Sequence, residues 1–279
     1  MIQEIAPKTF DPAFRRQKPE DRDFLLHYEY NKVMLKKEGD RLTIPTVGEL
    51  LEEAPEIAAK AEYLFSIDDR AYFGMPDMAV PEFGGYVMEG MQIFRKFDPM
   101  YQGFAGITGG QIYRFRESRK YCGRCGQRME YSQTERAMVC PGCKQTEYPK
   151  ISPAVIVAIT NGDKLLMSRY AHGTYRHFAL IAGYVEVGET FEECVRREVM
   201  EEVGLQVKDL RYYGSQPWGA DANLLLGFFA RLDGPSAIHL DRQELSQAGW
   251  YHRDEIDLPP DGVSLTNHMI QAFRRGEWD

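Results

Sequence analysis

The sequence predicts an α+β chain of three parts: an N-terminal α+β domain over residues 1–115, a small cysteine-bearing segment over 116–147, and a C-terminal α/β/α sandwich over 148–279. Three observations carry that reading. Short apolar runs joined by turn residues fill the first part, two C-x2-C pairs follow, and apolar strand-like runs then alternate with two amphipathic helical stretches. A chain of 279 residues with 43% apolar and 27% charged residues lies in the range of globular proteins of more than one domain.

In chain order, residues 30–37 and 41–46 flank the turn Glu38-Gly39-Asp40 and predict a hairpin. Residues 47–60 have helical composition interrupted by Pro55. A second hairpin is expected from residues 63–67 and 71–74 around Asp68-Asp69-Arg70. The Gly-rich run 103–113 reads as a lead into a short helix near 114–120. Beyond the cysteines, the continuous apolar run 154–159 suits a strand buried on both faces. Further strands are expected at 164–167, 177–181, 207–213, 224–230 and 248–252, and a closing amphipathic helix at 266–274 with Met269, Ile270 and Phe273 on its apolar face.

Cys122, Cys125, Cys140 and Cys143 form C-x2-C-x14-C-x2-C, with Gly123, Gly126 and Gly142 in the knuckles. The spacing predicts a structural four-thiolate zinc site. Two disulfides are the alternative, but the N-terminus MIQEIAPKTF carries no basic-then-apolar signal, which implies a reducing, cytoplasmic setting. Four thiolates leave no open coordination position, so the metal would stabilise a segment with almost no core of its own. Aromatic and basic residues are few between the knuckles, which argues against nucleic acid binding by this segment alone. The formal net charge of −8 argues against a general nucleic-acid-binding surface, though a bound metal would still admit a polyanionic substrate. No run of apolar residues is long enough to cross a membrane.

The most informative stretch is 183–205, GYVEVGETFEECVRREVMEEVGL. Thr190 and Glu193 predict a capping box, Gly204 a left-handed helix end, and a helix of roughly 13 residues lies between them. Glu198, Glu201 and Glu202 then share one helix face, where they repel one another. Arg196 and Arg197 are too few to neutralise them together with Glu192 and Glu193. A bare E-x-x-E-E is ordinarily a solvated acidic face. A hard cation such as Mg²⁺ or Mn²⁺ would remove the repulsion.

The positions Gly183, Glu189, Arg197, Glu198, Glu201, Glu202 and Gly204 together resemble the Nudix box, a pattern whose chance occurrence is on the order of 1 in 10^8 per start position. With the upstream cysteines, the run Tyr148-Pro149-Lys150-Ile151-Ser152-Pro153 and the downstream Ser215-Gln216-Pro217-Trp218, the chain is similar to the NADH pyrophosphatase subgroup of Nudix hydrolases. The resemblance implies metal-dependent hydrolysis of the diphosphate of NADH or NAD to NMNH or NMN plus AMP, and extends to removal of NAD caps from RNA. It implies Glu198, Glu202, Glu244 and the backbone carbonyl of Ala182 as Mg²⁺ or Mn²⁺ ligands, with Glu201 a further ligand or base and Arg197 orienting the carboxylates. Tyr184 would stack on the nicotinamide, with Tyr148 reaching from the partner in a homodimer. Glu135, Gln216, Trp218, Asn223, Thr266 and Arg95 would contact substrate. The chain departs from the subgroup at Gly219-Ala220-Asp221-Ala222-Asn223, where the family has P-F-P-x-S. That departure predicts a more flexible loop and leaves another nucleoside diphosphate derivative, such as ADP-ribose, as the alternative substrate.

Overall fold

The computed structural model describes residues 1–52, 54–75, 80, 84–172 and 177–278. The chain divides into two compact units: Ile2–Lys150 together with Gly219–Ala222, and Met1 with Ile151–Trp218 and Asn223–Asp279.

In the first unit, one sheet takes the order Phe10–Asp11, Glu62–Ile67, Arg70–Gly74, Phe24–Leu26. A second is built on Lys32–Glu38, which pairs with Tyr28–Glu29, Arg41–Thr43 and Tyr86–Gly90. Both expected hairpins form, about Gly39 with φ 61° and Asp68 with φ 53°. The expected helix over 47–60 is two short ones, Val47–Leu50 and Ile57–Lys60, because Pro55 has no amide to continue the first.

The larger difference is at the Gly-rich run. A 19-residue helix, Met100–Ser118, covers the whole of it. Four glycines lie inside that helix, and close packing explains each. A Cβ would fall 2.4 Å from the Phe94 carbonyl oxygen at Gly103 and 2.1 Å from the Phe94 ring at Gly106. It would fall 2.5 Å from Leu26 at Gly109 and 2.1 Å from Met91 at Gly110. Contact with neighbours outweighs the helix cost of glycine, about 1 kcal/mol per residue.

The cysteine segment contributes the strands Glu130–Tyr131, Met138–Val139 and Thr146–Glu147. Its small core is Cys122, Met129, Met138 and Cys140, completed by Phe115 from the long helix.

The second unit is a sandwich. Ser152–Asn161 lies at the centre, parallel to Asn223–Leu232, with Val207–Trp218 beyond. It pairs antiparallel with Lys164–Tyr170, which in turn pairs with Leu245–His252. Alternation along the central strand divides the core. Val155, Val157 and Ile159 pack with Cys194, Val195, Val199 and Val203 of the helix Phe191–Val203. Ile156 and Ala158 pack with Leu265, Met269, Ile270 and Phe273 of the helix Leu265–Arg274. Both faces are thus covered by helices, as the continuous apolar run requires.

The strand expected at 177–181 lies later, at Ile181–Tyr184, paired with residues 154–157 of the central strand. Ala179 makes only an isolated bridge to Ser168. The strand therefore carries the first residues of the acidic motif into the sheet. Among the described residues no helix is long and apolar enough to cross a membrane.

Candidate active site

The helix Phe191–Val203 starts and stops where its residues demand. The Glu193 amide donates to Thr190 Oγ1 at 3.2 Å, and the Thr190 amide donates to Glu193 Oε2 at 2.8 Å. Gly204 ends the helix at φ 66°. One face is apolar, yet Glu198 and Glu202 are buried beside it, 8% and 3% exposed, while Glu201 stays in solvent. The i, i+4 spacing aims the two buried carboxylates at the strand Ile181–Tyr184. The Ala182 amide donates to Glu202 Oε1 at 3.3 Å. A Cβ on Gly183 would lie 1.9 Å from the Glu198 carboxyl carbon, so only glycine leaves room for that side chain.

Arg197 uses all five of its donors. Nε and Nη2 hold the two Glu189 oxygens at 2.7 and 2.9 Å, and Nη1 reaches Glu198 Oε1 at 2.8 Å and Glu201 Oε2 at 2.9 Å. The other Nη2 donor goes to the Tyr184 carbonyl at 2.9 Å. One planar fork therefore fixes three carboxylates and the strand end, which a lysine could not do. Arg196 donates to the Glu192 carbonyl at 2.9 Å. Glu189, a motif position with no sequence-derived role, is the bidentate anchor of Arg197. It also accepts the Glu186 amide at 3.0 Å.

The electrostatics divide the carboxylates. The Arg197 hydrogen bonds, helped by the Glu186 amide, hold the Glu189 carboxyl down to about 2. Burial pushes Glu202 up to about 8, with Glu198, Glu244 and Asp241 adding like charge. Burial also raises Glu198, against the pull of Arg197. Glu244 is exposed, and its charge acts on both Glu198 and Glu202. The Ala171 amide holds its backbone carbonyl at 2.8 Å. Asp241, which sequence reasoning missed, donates its amide to the Glu202 carbonyl at 2.9 Å and so closes the helix end. Among the described residues the four cysteines are the one group of three or more potential ligands drawn together, so the structure pairs Glu198 and Glu202 on one helix face without converging Glu244 on them. Two buried carboxylates, Glu198 raising the pKa of Glu202, are still the donor type a hard divalent cation takes.

Tyr184 is 53% exposed, and its hydroxyl donates to Asn223 Oδ1 at 3.1 Å. Trp218 ends its strand opposite Asn223. Gln216 is fully buried. Its amide nitrogen donates to the Val263 carbonyl and its oxygen accepts the Leu265 amide, both at 2.8 Å, which places it as a brace of the last helix. Thr266 is the second residue of that helix and partly exposed.

In the first unit, the Tyr148 hydroxyl donates to Glu135 Oε2 at 3.1 Å, which raises the tyrosine pKa. Both side chains are exposed. Arg95 lies on the 3-10 helix Met91–Lys96. The Gly219–Ala222 turn belongs to this unit: Arg114 Nη2 donates to the Gly219 carbonyl. A Cβ on Gly219 would lie 2.9 Å from the Ile107 carbonyl oxygen, so the glycine that replaces the family's proline fits a close approach. The negative charge of Asp221 is felt by Arg114.

The four cysteine Sγ atoms lie within 4.8 Å of one another. Cys122 and Cys143 are 3.5 Å apart and Cys125 and Cys140 3.4 Å, far beyond a disulfide of about 2.05 Å. The Arg124 and Cys143 amides donate to Cys122 and Cys140 Sγ. Those amides favour thiolate, lowering Cys122 and holding Cys140 down to about 6. The left-handed knuckle positions are Gly126 at φ 75° and Lys144 at φ 63°. The cluster fits a structural Zn²⁺, which would reinforce the small core of this segment.

Comparison with known proteins agrees with this geometry. Residues 150–273 match the NUDIX domain family and residues 117–148 the NADH pyrophosphatase zinc ribbon domain. The NAD-capped RNA hydrolase NudC of Salmonella paratyphi C is 42% identical over 174 residues, covering 61% of this chain and 67% of that one. The Shigella flexneri protein of the same name is 41% identical over the same share. Among solved structures, a Nudix hydrolase from Nitrosomonas europaea aligns with TM-score 0.48 and 19% identity over 57% of this chain and 92% of that one. The buried glutamates, their arginine fork and the four-thiolate cluster thus coincide with the matched segments, and the chain belongs to the Nudix hydrolase family, in the branch whose hydrolase domain follows an NADH pyrophosphatase zinc ribbon.

Proposed function

We propose that the protein hydrolyses the diphosphate of NADH or NAD to NMNH or NMN plus AMP, and removes NAD caps from RNA by the same bond cleavage. The observation that carries the reading is the burial of Glu198 and Glu202 on one helix face, with the Arg197 guanidinium joining Glu198 to the exposed motif carboxylate Glu201. The relatives are NAD-capped RNA hydrolases by name, which supports the substrate class.

Glu198, Glu202 and Glu244, with the Ala182 carbonyl, would hold Mg²⁺ or Mn²⁺. Such a cation, when bound, neutralises non-bridging phosphate oxygens and acidifies an attacking water. Arg197 orients Glu198, itself anchored by Glu189, and Glu201 stands ready as a further ligand or base. Water adds to one phosphorus, the bridging P–O bond breaks in line, and each product leaves as a monophosphate. The exposed ring of Tyr184, steadied by Asn223, offers a flat face to the nicotinamide. Tyr148 and Glu135 form a second contact point, Tyr148 reaching from the partner of a homodimer. Trp218, Thr266, Gln216 and Arg95 complete the contact set, with Gln216 acting through the last helix. We assign residues 1–115, 116–147 and 148–279 as the three functional parts and the cytoplasm as the compartment.

Product analysis with NADH and Mg²⁺ tests the proposal: AMP plus NMNH is expected, and an intact dinucleotide after long incubation would refute it. A second reading rests on the Gly219–Asn223 departure, which lacks the family's prolines and aromatic. Under that reading kcat/KM for ADP-ribose exceeds that for NADH and NAD.

A further inference from the structure

One cavity in the first unit gathers side chains that neither the glutamates nor the cysteines use. It encloses about 560 Å³ and is walled by residues 14–18, by residues 59–63 and by residues 131–133 of the cysteine segment. Arg15, Arg16, Lys18 and Lys60 line it, against a single carboxylate, Glu62. Arg15 is paired with Asp11 and Glu62 with Arg116. Arg16 donates to the neutral amide of Gln133. Among the described residues, Arg16, Lys18 and Lys60 have no carboxylate partner. Three uncompensated cations around one cavity stand out in a chain of net charge −8.

The cavity also has rings. Phe14 and Tyr131 line it with centroids 6.3 Å apart at 53°. The Tyr131 hydroxyl is buried without a hydrogen-bond partner. Arg116, which does not line the cavity, lies 4.0 Å over the Tyr131 ring. The sequence held the cysteine segment too poor in basic and aromatic residues to contact nucleic acid. The fold supplies both from residues 14–18.

We propose that this cavity binds a single-stranded nucleic-acid segment, its phosphates on Arg16, Lys18 and Lys60 and its bases against Phe14 and Tyr131. Cations alone would suit any anion. Cations interleaved with partly exposed rings suit a chain that alternates phosphate with flat bases, and an acidic peptide would leave the rings unused. None of the residues that line it has a part in the proposed diphosphate chemistry.

Fluorescence anisotropy with a 5′-hydroxyl oligoribonucleotide of about ten nucleotides reads it alone, since that probe has neither NAD nor a diphosphate. The triple variant Arg16→Glu, Lys18→Glu, Lys60→Glu should lose at least tenfold in affinity. Its salt slope should shrink by about 2, as three lost phosphate contacts require. Zinc content and NADH turnover should be unchanged. Phe14→Ala should weaken binding and Phe14→Tyr restore it. If the triple variant loses zinc, Lys18→Ala and Lys60→Ala singly should each reduce the slope. Equal affinity in variant and wild type overturns the proposal. Full displacement of the oligonucleotide by equimolar pyrophosphate does too, since it marks a small-anion site. Equal binding of polyglutamate overturns it in favour of a protein partner. A wild type that fails to turn over NADH would sink the proposed function and leave this readout intact.

Discussion

Arg197 and the residues it holds show how much of the site depends on single side chains. Gly183→Ala places a methyl where the Glu198 carboxyl sits, so kcat should fall more than tenfold while the fold survives; steady-state kinetics beside a thermal melt checks both. Glu189 tests the fork by pH. Its folded pKa, about 2, lies below the ordinary carboxylate value of 4.5, so it adds stability that is present above 4.5 and lost as pH falls toward 2. Melts across that window should show a loss in the wild type that Glu189→Gln lacks. That variant should also lose about 10–100-fold in activity, the usual cost of removing a residue that orients metal ligands.

Glu202 has the opposite sign. Raised to about 8, it costs the metal-free protein stability as pH rises from 4.5 through 8. In chelator-treated protein, Glu202→Gln should therefore melt higher than wild type at pH 8 and no higher at pH 5, while Mg²⁺-dependent turnover drops by orders of magnitude. A variant that melts alike at both pH values would contradict the burial argument. The spacing of these glutamates was legible because i, i+4 geometry is local. The place of Glu189 opposite Arg197 was not, since eight residues and a turn separate them. Gln216 was legible as a motif member, but only the fold shows its amide enclosed between Val263 and Leu265.

At the scale of elements, the helix Phe191–Val203 matched its expected length because capping box and terminal glycine are written within it. The helix Met100–Ser118 did not, because its glycines answer to Phe94, Leu26 and Met91 rather than to their neighbours in sequence. Gly106→Ala, which improves helix propensity, should nonetheless destabilise the first unit by about 1–3 kcal/mol in urea unfolding, the usual cost of overpacking. The late position of the strand Ile181–Tyr184 was hidden for a similar reason. Residues 177–181 are as apolar as a strand, and the pairing with residues 154–157 of the central strand decides which of them enter the sheet.

For the whole molecule, the fold class and both cysteine knuckles followed from pattern, while the two units as sets of residues did not. Metal analysis should find one Zn²⁺ per chain held by the four thiolates. Cys140→Ser should lose it and expose residues 117–148 to protease, with NADH-dependent turnover as a second readout of how far the loss spreads. The unit that holds the long helix also claims Gly219–Ala222 from the middle of the other unit's sequence, and the other unit claims Met1. No single cut in the chain can therefore yield both units whole: a break after Lys150 takes the Gly219 carbonyl away from Arg114. The two units are interleaved along the sequence, so a swap of either one between relatives must carry the short excursion with it.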